Sequence, residues 1–197
     1  MKKIEYYYSH VSPWTFLGHQ RLRKLAEKHD AEIDFFPVTL SKIFPVSGGL
    51  PLAKRAPQRQ EYRMWELKRW PEFLGIELNI EPKHFPVDDS PSAKIAGLVK
   101  QKGSDIGGLS MGFLSAVWVE ERDITDPDTL ISITNVSGFD GQALYEESLT
   151  EAGDRVLEEN TQAAIDANVY GSPFYVLNGE PFWGQDHLEL LDWTLSR

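Results

Sequence analysis

A strand, a tight turn and a helix start are signalled together near the beginning of the chain, in residues 4–20. Residues 4–8 read IEYYY, and aromatic residues in a short run are typical of a half-buried or central strand. Ser12 can cap the following helix, with Pro13 at the first helical position, where its missing N–H costs nothing. A helix that begins there aims free backbone N–H groups and the positive end of its dipole at one spot beside Ser12. The pattern therefore predicts a place that favours an anion.

The segments that follow predict the rest of a small sheet. Residues 31–38 form a second short strand, and the helix-sized spacing indicates a right-handed βαβ unit with parallel strands. Near the C-terminus, residues 174–177 and 180–183 flank Asn178-Gly179, the strongest two-residue hairpin signal. Pro181 favours an edge position for the return strand. Asp186 is placed to cap a last helix.

The middle of the chain predicts a loop and then a long helical block. Residues 39–56 carry prolines, glycines and serines without a sustained period and are interpreted as a loop. Residues 58–70 form a helix that Pro71 and Gly75 should end, and helical patterns continue to residue 168 without a good strand. The order predicts an α/β, thioredoxin-like fold (βαβ…ββα) with a large all-helical insertion. We expect residues 1–56 and 169–197 to form the thioredoxin-like domain and residues 57–168 the inserted one.

Composition limits the function. The chain of 197 residues has a net charge of −10, which argues against nucleic-acid binding because phosphates need a basic face. It contains no cysteine, so disulfides, thiolate metal sites and a cysteine nucleophile are excluded. No run resembles a signal-peptide core or a membrane span of ~20 apolar residues. We expect a cytoplasmic protein.

The turn after the first predicted strand has the helix N-terminus of a redox site but lacks its cysteines. Thioredoxin-like oxidoreductases have Cys-x-x-Cys there, at a helix N-terminus that lowers the thiol pKa. This chain has Ser12, Pro13, Trp14 and Thr15. Dithiol chemistry is therefore impossible for the chain alone, but the turn can still hold a thiolate that another molecule supplies.

A second turn supports a peptide-like ligand. Ser172-Pro173 stands at the entry of a predicted strand, where a cis proline would sit. We expect such a turn to leave the backbone N–H and C=O of Ser172 unpaired and able to bind an extended peptide in strand fashion. Glutathione is such a peptide and brings its own thiol.

The two ends of glutathione need charged partners. Gln185 and Asp186, at the head of the last helix, are candidates for the γ-glutamyl end. Lys54 and Arg59 are alternative candidates for the glycine carboxylate, within a basic cluster of an otherwise acidic chain. A solvated surface is the simpler interpretation of that cluster.

Three motifs together resemble one known family. They are Ser12-Pro13-Trp14, Gly171-Ser172-Pro173 and the tail FWGQDHL at residues 182–188. They look like those of 2-hydroxychromene-2-carboxylate isomerases, which are relatives of kappa-class glutathione transferases, and the resemblance spans nearly the whole chain.

The resemblance implies roles for individual residues. Ser12 would stabilise the thiolate of bound glutathione, Ser172 with Pro173 would hold its cysteinyl backbone, and Asp186 with Gln185 would hold its γ-glutamyl group. It also implies a homodimer that uses glutathione in the degradation of aromatic compounds. In such an isomerase the thiolate adds to an alkene conjugated with a ketone, rotation follows, and the thiolate leaves.

Simpler interpretations accompany these. Ser12 and Asp186 are also ordinary helix caps, and Phe182 and Trp183 are expected in the core. The five histidines show no metal-binding spacing, and His10 is a candidate proton donor. Two other functions stay open: a kappa-like glutathione transferase or peroxidase, and a non-catalytic thioredoxin-fold binding protein.

Overall fold

A four-stranded mixed sheet forms the centre of the protein in a computed structural model that describes residues 2–197. The strands lie in the order β2-β1-β3-β4. β1 pairs in parallel with β2 and antiparallel with β3, and β3 pairs antiparallel with β4. The strands are β1 (Lys2–Tyr8), β2 (Ala31–Pro37), β3 (Phe174–Leu177) and β4 (Glu180–Trp183).

Helices fill the rest of the chain. They are α1 (Pro13–Lys28), α2 (Leu40–Ser47), α3 (Pro57–Leu74), α4 (Ser90–Gln101), α5 (Gly107–Trp118), α6 (Pro127–Val136), α7 (Gly141–Ser148), α8 (Glu151–Asp166) and α9 (Leu188–Leu195), with single 3₁₀ turns at Leu52–Lys54 and Gln185–His187. The predicted thioredoxin-like fold with a helical insertion is confirmed.

The side chains of the central strand β1 alternate between the two faces of the sheet, and a core covers each face. Ile4, Tyr6 and Tyr8 face a core that α1, α4 and α5 help to form, and all three are fully buried. Tyr7 points the other way, into a smaller core that includes Phe174 of β3 and residues of α8. Helices on both faces of a sheet explain why β1 reads as nearly continuous aromatic residues.

Two local predictions were wrong. Residues 39–56 are not a loop throughout, since α2 crosses Pro45 and ends at Gly48 in the left-handed conformation. Ile43 is fully buried in the smaller core, and this burial outweighs the local turn signals. α3 likewise continues through Pro71, which is buried, and ends at Gly75. In each case tertiary packing compensates for the hydrogen bond that proline removes.

The proposed division into two domains stays a prediction. α8 lies within residues 57–168, and its Asn160 Nδ2 donates to the Pro37 carbonyl at 3.3 Å. The backbone N–H of Thr39 donates to the Thr161 hydroxyl at 3.2 Å. The insertion is thus joined to the end of β2 and the residues after it by one buried and one partly buried hydrogen bond. Met1, the first residue of the proposed domain, lies outside the described residues. Within residues 2–197 no helix has the length and apolar character to cross a membrane.

Candidate functional site

Ser12 lies between the end of β1 and the start of α1, and its side chain forms two hydrogen bonds. It is the N-cap of α1, since its Oγ accepts from the Thr15 N–H at 3.2 Å, with Pro13 at the start of the helix. The same Oγ donates to the carbonyl oxygen of Ser172 at 3.1 Å. The predicted cap is confirmed, and the hydroxyl also bridges the first turn to the turn before β3.

One backbone donor of the first helical turn stays free. The Thr15 N–H is bonded to the Ser12 side chain and the Phe16 N–H to the Ser12 carbonyl. Pro13 has no N–H, and within residues 2–197 the Trp14 N–H has no partner. Since this group points out of a helix N-terminus, it favours negative charge beside Ser12.

The Ser172-Pro173 peptide bond is cis, as predicted. The expectation that the Ser172 carbonyl is unpaired was wrong, because Ser12 Oγ donates to it. The Ser172 N–H does lack a partner among the described residues, although Ser172 is only 8% exposed. A free N–H in a buried turn beside Ser12 is the strand-type donor that an extended peptide could use.

Several polar residues behind these turns were missed by the sequence analysis. Thr15 Oγ1 lies 2.8 Å from Ser172 Oγ, and the Ser9 N–H donates to the same oxygen at 3.0 Å. Ser9 Oγ donates to a carboxylate oxygen of Asp89, at the start of α4, at 2.5 Å. No local pattern indicated these pairs, since Asp89 and Ser172 lie 80 and 163 positions from Ser9.

His10, the candidate proton donor, is fully buried. Its Nδ1 lies 2.9 Å from Ser92 Oγ, and its Nε2 has no partner within residues 2–197. Burial lowers the pKa of His10 to about 3, with a smaller contribution from His19. The imidazole is therefore neutral at physiological pH, which does not support its role as a cationic acid.

The tail turn is attached to α1 through Gln185. The Gln185 side chain is buried, and both its Oε1 and its backbone oxygen accept from Arg21 Nη1, the latter at 3.1 Å. Gly18 makes this approach possible, because a Cβ there would lie 2.9 Å from the Gln185 Cβ and from the Tyr175 hydroxyl. The Gln185 side chain is thus committed to Arg21 and positions the residue after it.

Asp186 is exposed at the end of that turn. Its side chain is 53% accessible, with a carboxylate oxygen 3.6 Å from Nδ1 of His187. The predicted cap is wrong, since neither the 3₁₀ turn nor α9 has a side-chain cap. Within residues 2–197 the carboxylate therefore has no backbone partner, and it can accept from a ligand.

The two basic candidates lie on either side of the predicted boundary of the helical insertion, Lys54 before it and Arg59 after it. Lys54 ends a 3₁₀ turn and Arg59 lies in the first turn of α3, and both are exposed. Neither forms an ion pair with a described residue. Arg55 and Arg63 are partly buried, and burial lowers the pKa of Arg63 to about 10. Within residues 2–197 no hydrogen bond or ion pair joins the side chain of Lys54 or Arg59 to the Ser12 turn.

The prediction that Phe182 and Trp183 both lie in the core holds for Phe182 only. Phe182 is buried, but Trp183 is 45% exposed. Its ring packs edge-on against Tyr170, with centroids 5.0 Å apart, and its Nε1 would lie 2.4 Å from a Cβ at Gly171. The edge position of β4 leaves one face of this indole in solvent.

A capped hydroxyl turn and a cis proline at the end of one sheet define a thioredoxin-like protein without redox cysteines. The model of the DSBA-like thioredoxin domain family matches residues 3–196. The chain belongs to that family.

The individual relatives have low sequence identity to the chain. The chain is 26% identical to a 2-hydroxychromene-2-carboxylate isomerase of Pseudomonas putida over 98% of its length and 94% of that protein. It is 26% identical to human glutathione S-transferase kappa 1, over 96% and 89% of the two chains. A solved 2-hydroxychromene-2-carboxylate isomerase superposes with a TM-score of 0.83 at 23% identity, covering 99% and 95%. The resemblance found in the sequence is confirmed.

Proposed function

We propose that this protein is a glutathione-dependent isomerase that acts on 2-hydroxychromene-2-carboxylate or a similar intermediate of aromatic degradation. The observation that carries the proposal is the pairing of Ser12 with Ser172 at a helix N-terminus, in a chain without cysteine. The names of the relatives, isomerases and kappa-class transferases, support it.

The residues present fit glutathione at three points. The unpaired N–H of buried Ser172 would pair with the cysteinyl carbonyl, as a strand neighbour would. The exposed carboxylate of Asp186 would accept from the γ-glutamyl ammonium, with Gln185 holding its turn on α1. Either Lys54 or Arg59, both free of ion pairs with described residues, would bind the glycine carboxylate.

When bound, glutathione would supply a thiolate that adds reversibly to a conjugated alkene. Ser12 would turn its hydroxyl from the Ser172 carbonyl towards the sulfur and donate to it, while its Oγ keeps the Thr15 N–H. The Trp14 N–H and the α1 dipole would add to the field that favours the charged form. Oriented donors of this kind are worth ~10²–10³-fold in rate each.

Two other functions remain candidates because of the same comparisons. A kappa-like transferase or peroxidase would use the same thiolate on another electrophile, and its kappa-class relative is equally identical in sequence. A non-catalytic binding protein would have lost the chemistry along with the cysteines. We also propose a homodimer, as the resemblance implies, and a cytoplasmic location, as the composition implies.

Two measurements test the proposal. Isothermal titration should show glutathione binding, and Asp186→Asn should weaken it; no binding at millimolar glutathione would remove both enzyme functions. Absorbance spectra of the chromene acid should then change with enzyme and glutathione, and Ser12→Ala should slow that change ~10²-fold or more. Negligible turnover together with conjugation of a chlorinated aromatic would instead establish the transferase.

A further inference from the structure

Behind the Ser12 turn lies a buried carboxyl group that the proposed chemistry does not use. Asp89 is 8% exposed, and its Oδ2 accepts from Ser9 Oγ at 2.5 Å. Within residues 2–197 no lysine, arginine or histidine forms an ion pair with it. A buried carboxyl without a cation is costly to ionise, so its presence beside the candidate site calls for an explanation.

Asp89 stands at the N-terminus of α4, but its side chain does not cap that helix. It is the N-cap residue of α4, where an aspartate usually accepts from its own helix. The neighbouring Asp88 accepts from the N–H and hydroxyl of Ser90 instead, at 3.0 and 2.7 Å. The Asp89 carboxyl is thus turned away from α4 and towards Ser9.

The contact reaches the Ser12 turn through the backbone. Ser9 Oγ donates to Asp89 and accepts from the Val11 N–H, with 3.4 Å between that oxygen and the Val11 nitrogen. The Val11 N–H also lowers the pKa of the Asp89 carboxyl. The Ser9 carbonyl accepts from the Ser12 N–H at 3.2 Å, and the Ser9 N–H donates to Ser172 Oγ. Ser9 therefore fixes the residues that lead into Ser12 and ties them to Ser172.

We propose that Asp89 is a positioning residue for the reaction: through Ser9 and Val11 it holds the backbone that places the Ser12 hydroxyl and the Trp14 N–H against the glutathione sulfur. This inference rests on the proposed function. In this role Asp89 would act only through the turn and would contact neither glutathione nor the substrate. Misplacement of a reacting group by about 1 Å costs up to ~10²-fold in rate, which is the size of effect that such a support controls.

The protonation state of Asp89 enters because the charged carboxylate is a stronger acceptor for the Ser9 hydroxyl than the neutral acid is. Burial raises the pKa of Asp89 to about 6, against the lowering effect of the Ser9 hydroxyl and the Val11 N–H, and Asp88 raises it slightly. The charged and titratable neighbours are Asp88 on the same segment and His10 on the turn, which reaches the Asp89 carbonyl through Ser92. The support should therefore weaken as pH falls below about 6.

The test compares Asp89→Asn and Ser9→Ala, singly and together, with the control Asp88→Asn. An amide at position 89 lacks the negative charge and so weakens the hydrogen bond from Ser9, which Ser9→Ala removes. Asp89→Asn should lower kcat about 10- to 100-fold, while KM for glutathione changes by about threefold or less. Because both variants act on the same contact, the double variant should be no slower than the slower single variant. The exposed Asp88→Asn should retain the wild-type rate.

Two readouts separate positioning from a merely structural role. Below pH 6 the wild-type rate should converge on that of Asp89→Asn, and amide hydrogen exchange at Val11 and Ser12, measured without glutathione, should accelerate in the variant. Unchanged exchange, an unchanged pH profile or additive losses in the double variant would overturn the inference. If wild-type protein binds no glutathione, the proposed function fails, and the exchange experiment alone still decides whether Asp89 holds the turn.

Discussion

The hydroxyl of Ser12 donates to the carbonyl oxygen of Ser172 at 3.1 Å, although 160 positions separate the two residues. The contact ties the helix N-terminus after β1 to the turn before β3. Among residues 2–197 neither the Trp14 N–H nor the Ser172 N–H next to this contact has a hydrogen-bond partner. The candidate site is therefore a gap between two backbone segments, bridged by one serine.

The field at this helix start can be measured with a thiol in place of the hydroxyl. Ser12→Cys should give a thiol whose pKa lies at least about one unit below the usual ~8.5, because the α1 N-terminus favours the thiolate. The pH dependence of alkylation reports this value. Ser196→Cys is the matched control, since Ser196 is exposed at the C-terminal end of α9, where the dipole is reversed. Equal pKa values in the two variants would contradict an anion-favouring turn.

Close packing at Gly18 should control the tail turn. Gly18→Ala would put a Cβ 2.9 Å from the Gln185 Cβ and from the Tyr175 hydroxyl, which we expect to cost about 1–3 kcal/mol of stability. It should also weaken glutathione binding by moving Asp186. Denaturant unfolding and calorimetric titration measure the two effects.

A second glycine provides the comparison for Gly18. Gly108, in α5, is exposed and has no heavy atom within 4 Å of an added Cβ. Gly108→Ala should stabilise the protein by about 0.5–1 kcal/mol through helix propensity and leave binding unchanged. If both alanines had the same effect, contact with Gln185 would not be the cause.

The two candidate ligands of the glycine carboxylate can be distinguished by single substitutions. Loss of a charge-assisted hydrogen bond costs about 1.5–3 kcal/mol, so either Lys54→Ala or Arg59→Ala should raise the glutathione Kd about 10- to 100-fold. The other substitution should have little effect. Arg69→Ala is the control, because Arg69 is exposed on the same helix but already pairs with Glu66 at 3.2 Å. A normal Kd in both variants would remove the basic cluster from the site.

Acid should destabilise the protein through two buried histidines. Burial lowers the pKa of His10 to about 3 and that of His19 to about 4, so the unfolded chain binds more protons than the folded one below pH ~6.5. Each histidine should then remove about 1.4 kcal/mol of stability per unit of falling pH. Asp89 acts in the opposite direction between about pH 4 and 6, because its pKa is raised on folding.

The slope of stability against pH between 4.5 and 6 therefore tests all three groups. Asp89→Asn should roughly double the loss of unfolding free energy per pH unit, and should stabilise the protein at pH 8 by removing a buried charge. His10→Asn should nearly abolish the loss, whatever its effect at neutral pH. Urea unfolding at several pH values gives the slope, with Asp88→Asn as the control. A flat wild-type profile would contradict the assigned pKa directions.

Features set within a few residues were predictable from the sequence. The Ser12 cap with Pro13, and the Asn178-Gly179 hairpin with φ of 53° and 83°, depend on local geometry alone and appear as expected. So does the central position of β1, because its aromatic run can be buried only between two layers. Local signals failed in α2, where Pro45 is exposed but Ile43 is buried in the smaller core, and at Pro71, which is itself buried within α3.

Only the tertiary structure decided how the site is supported. No local sequence pattern near Ser12 predicts that Ser172 accepts a hydrogen bond from its hydroxyl. Nor does one predict that Arg21 binds Gln185, or that the Asp89 side chain turns from its own helix to Ser9. These contacts join segments that the sheet and the helical insertion bring together, and their partners are ordinary polar residues with no local pattern. The sequence by itself thus determined an anion-favouring turn without a thiol of its own. The long-range packing determined which donors remain free at that turn and which buried groups hold it.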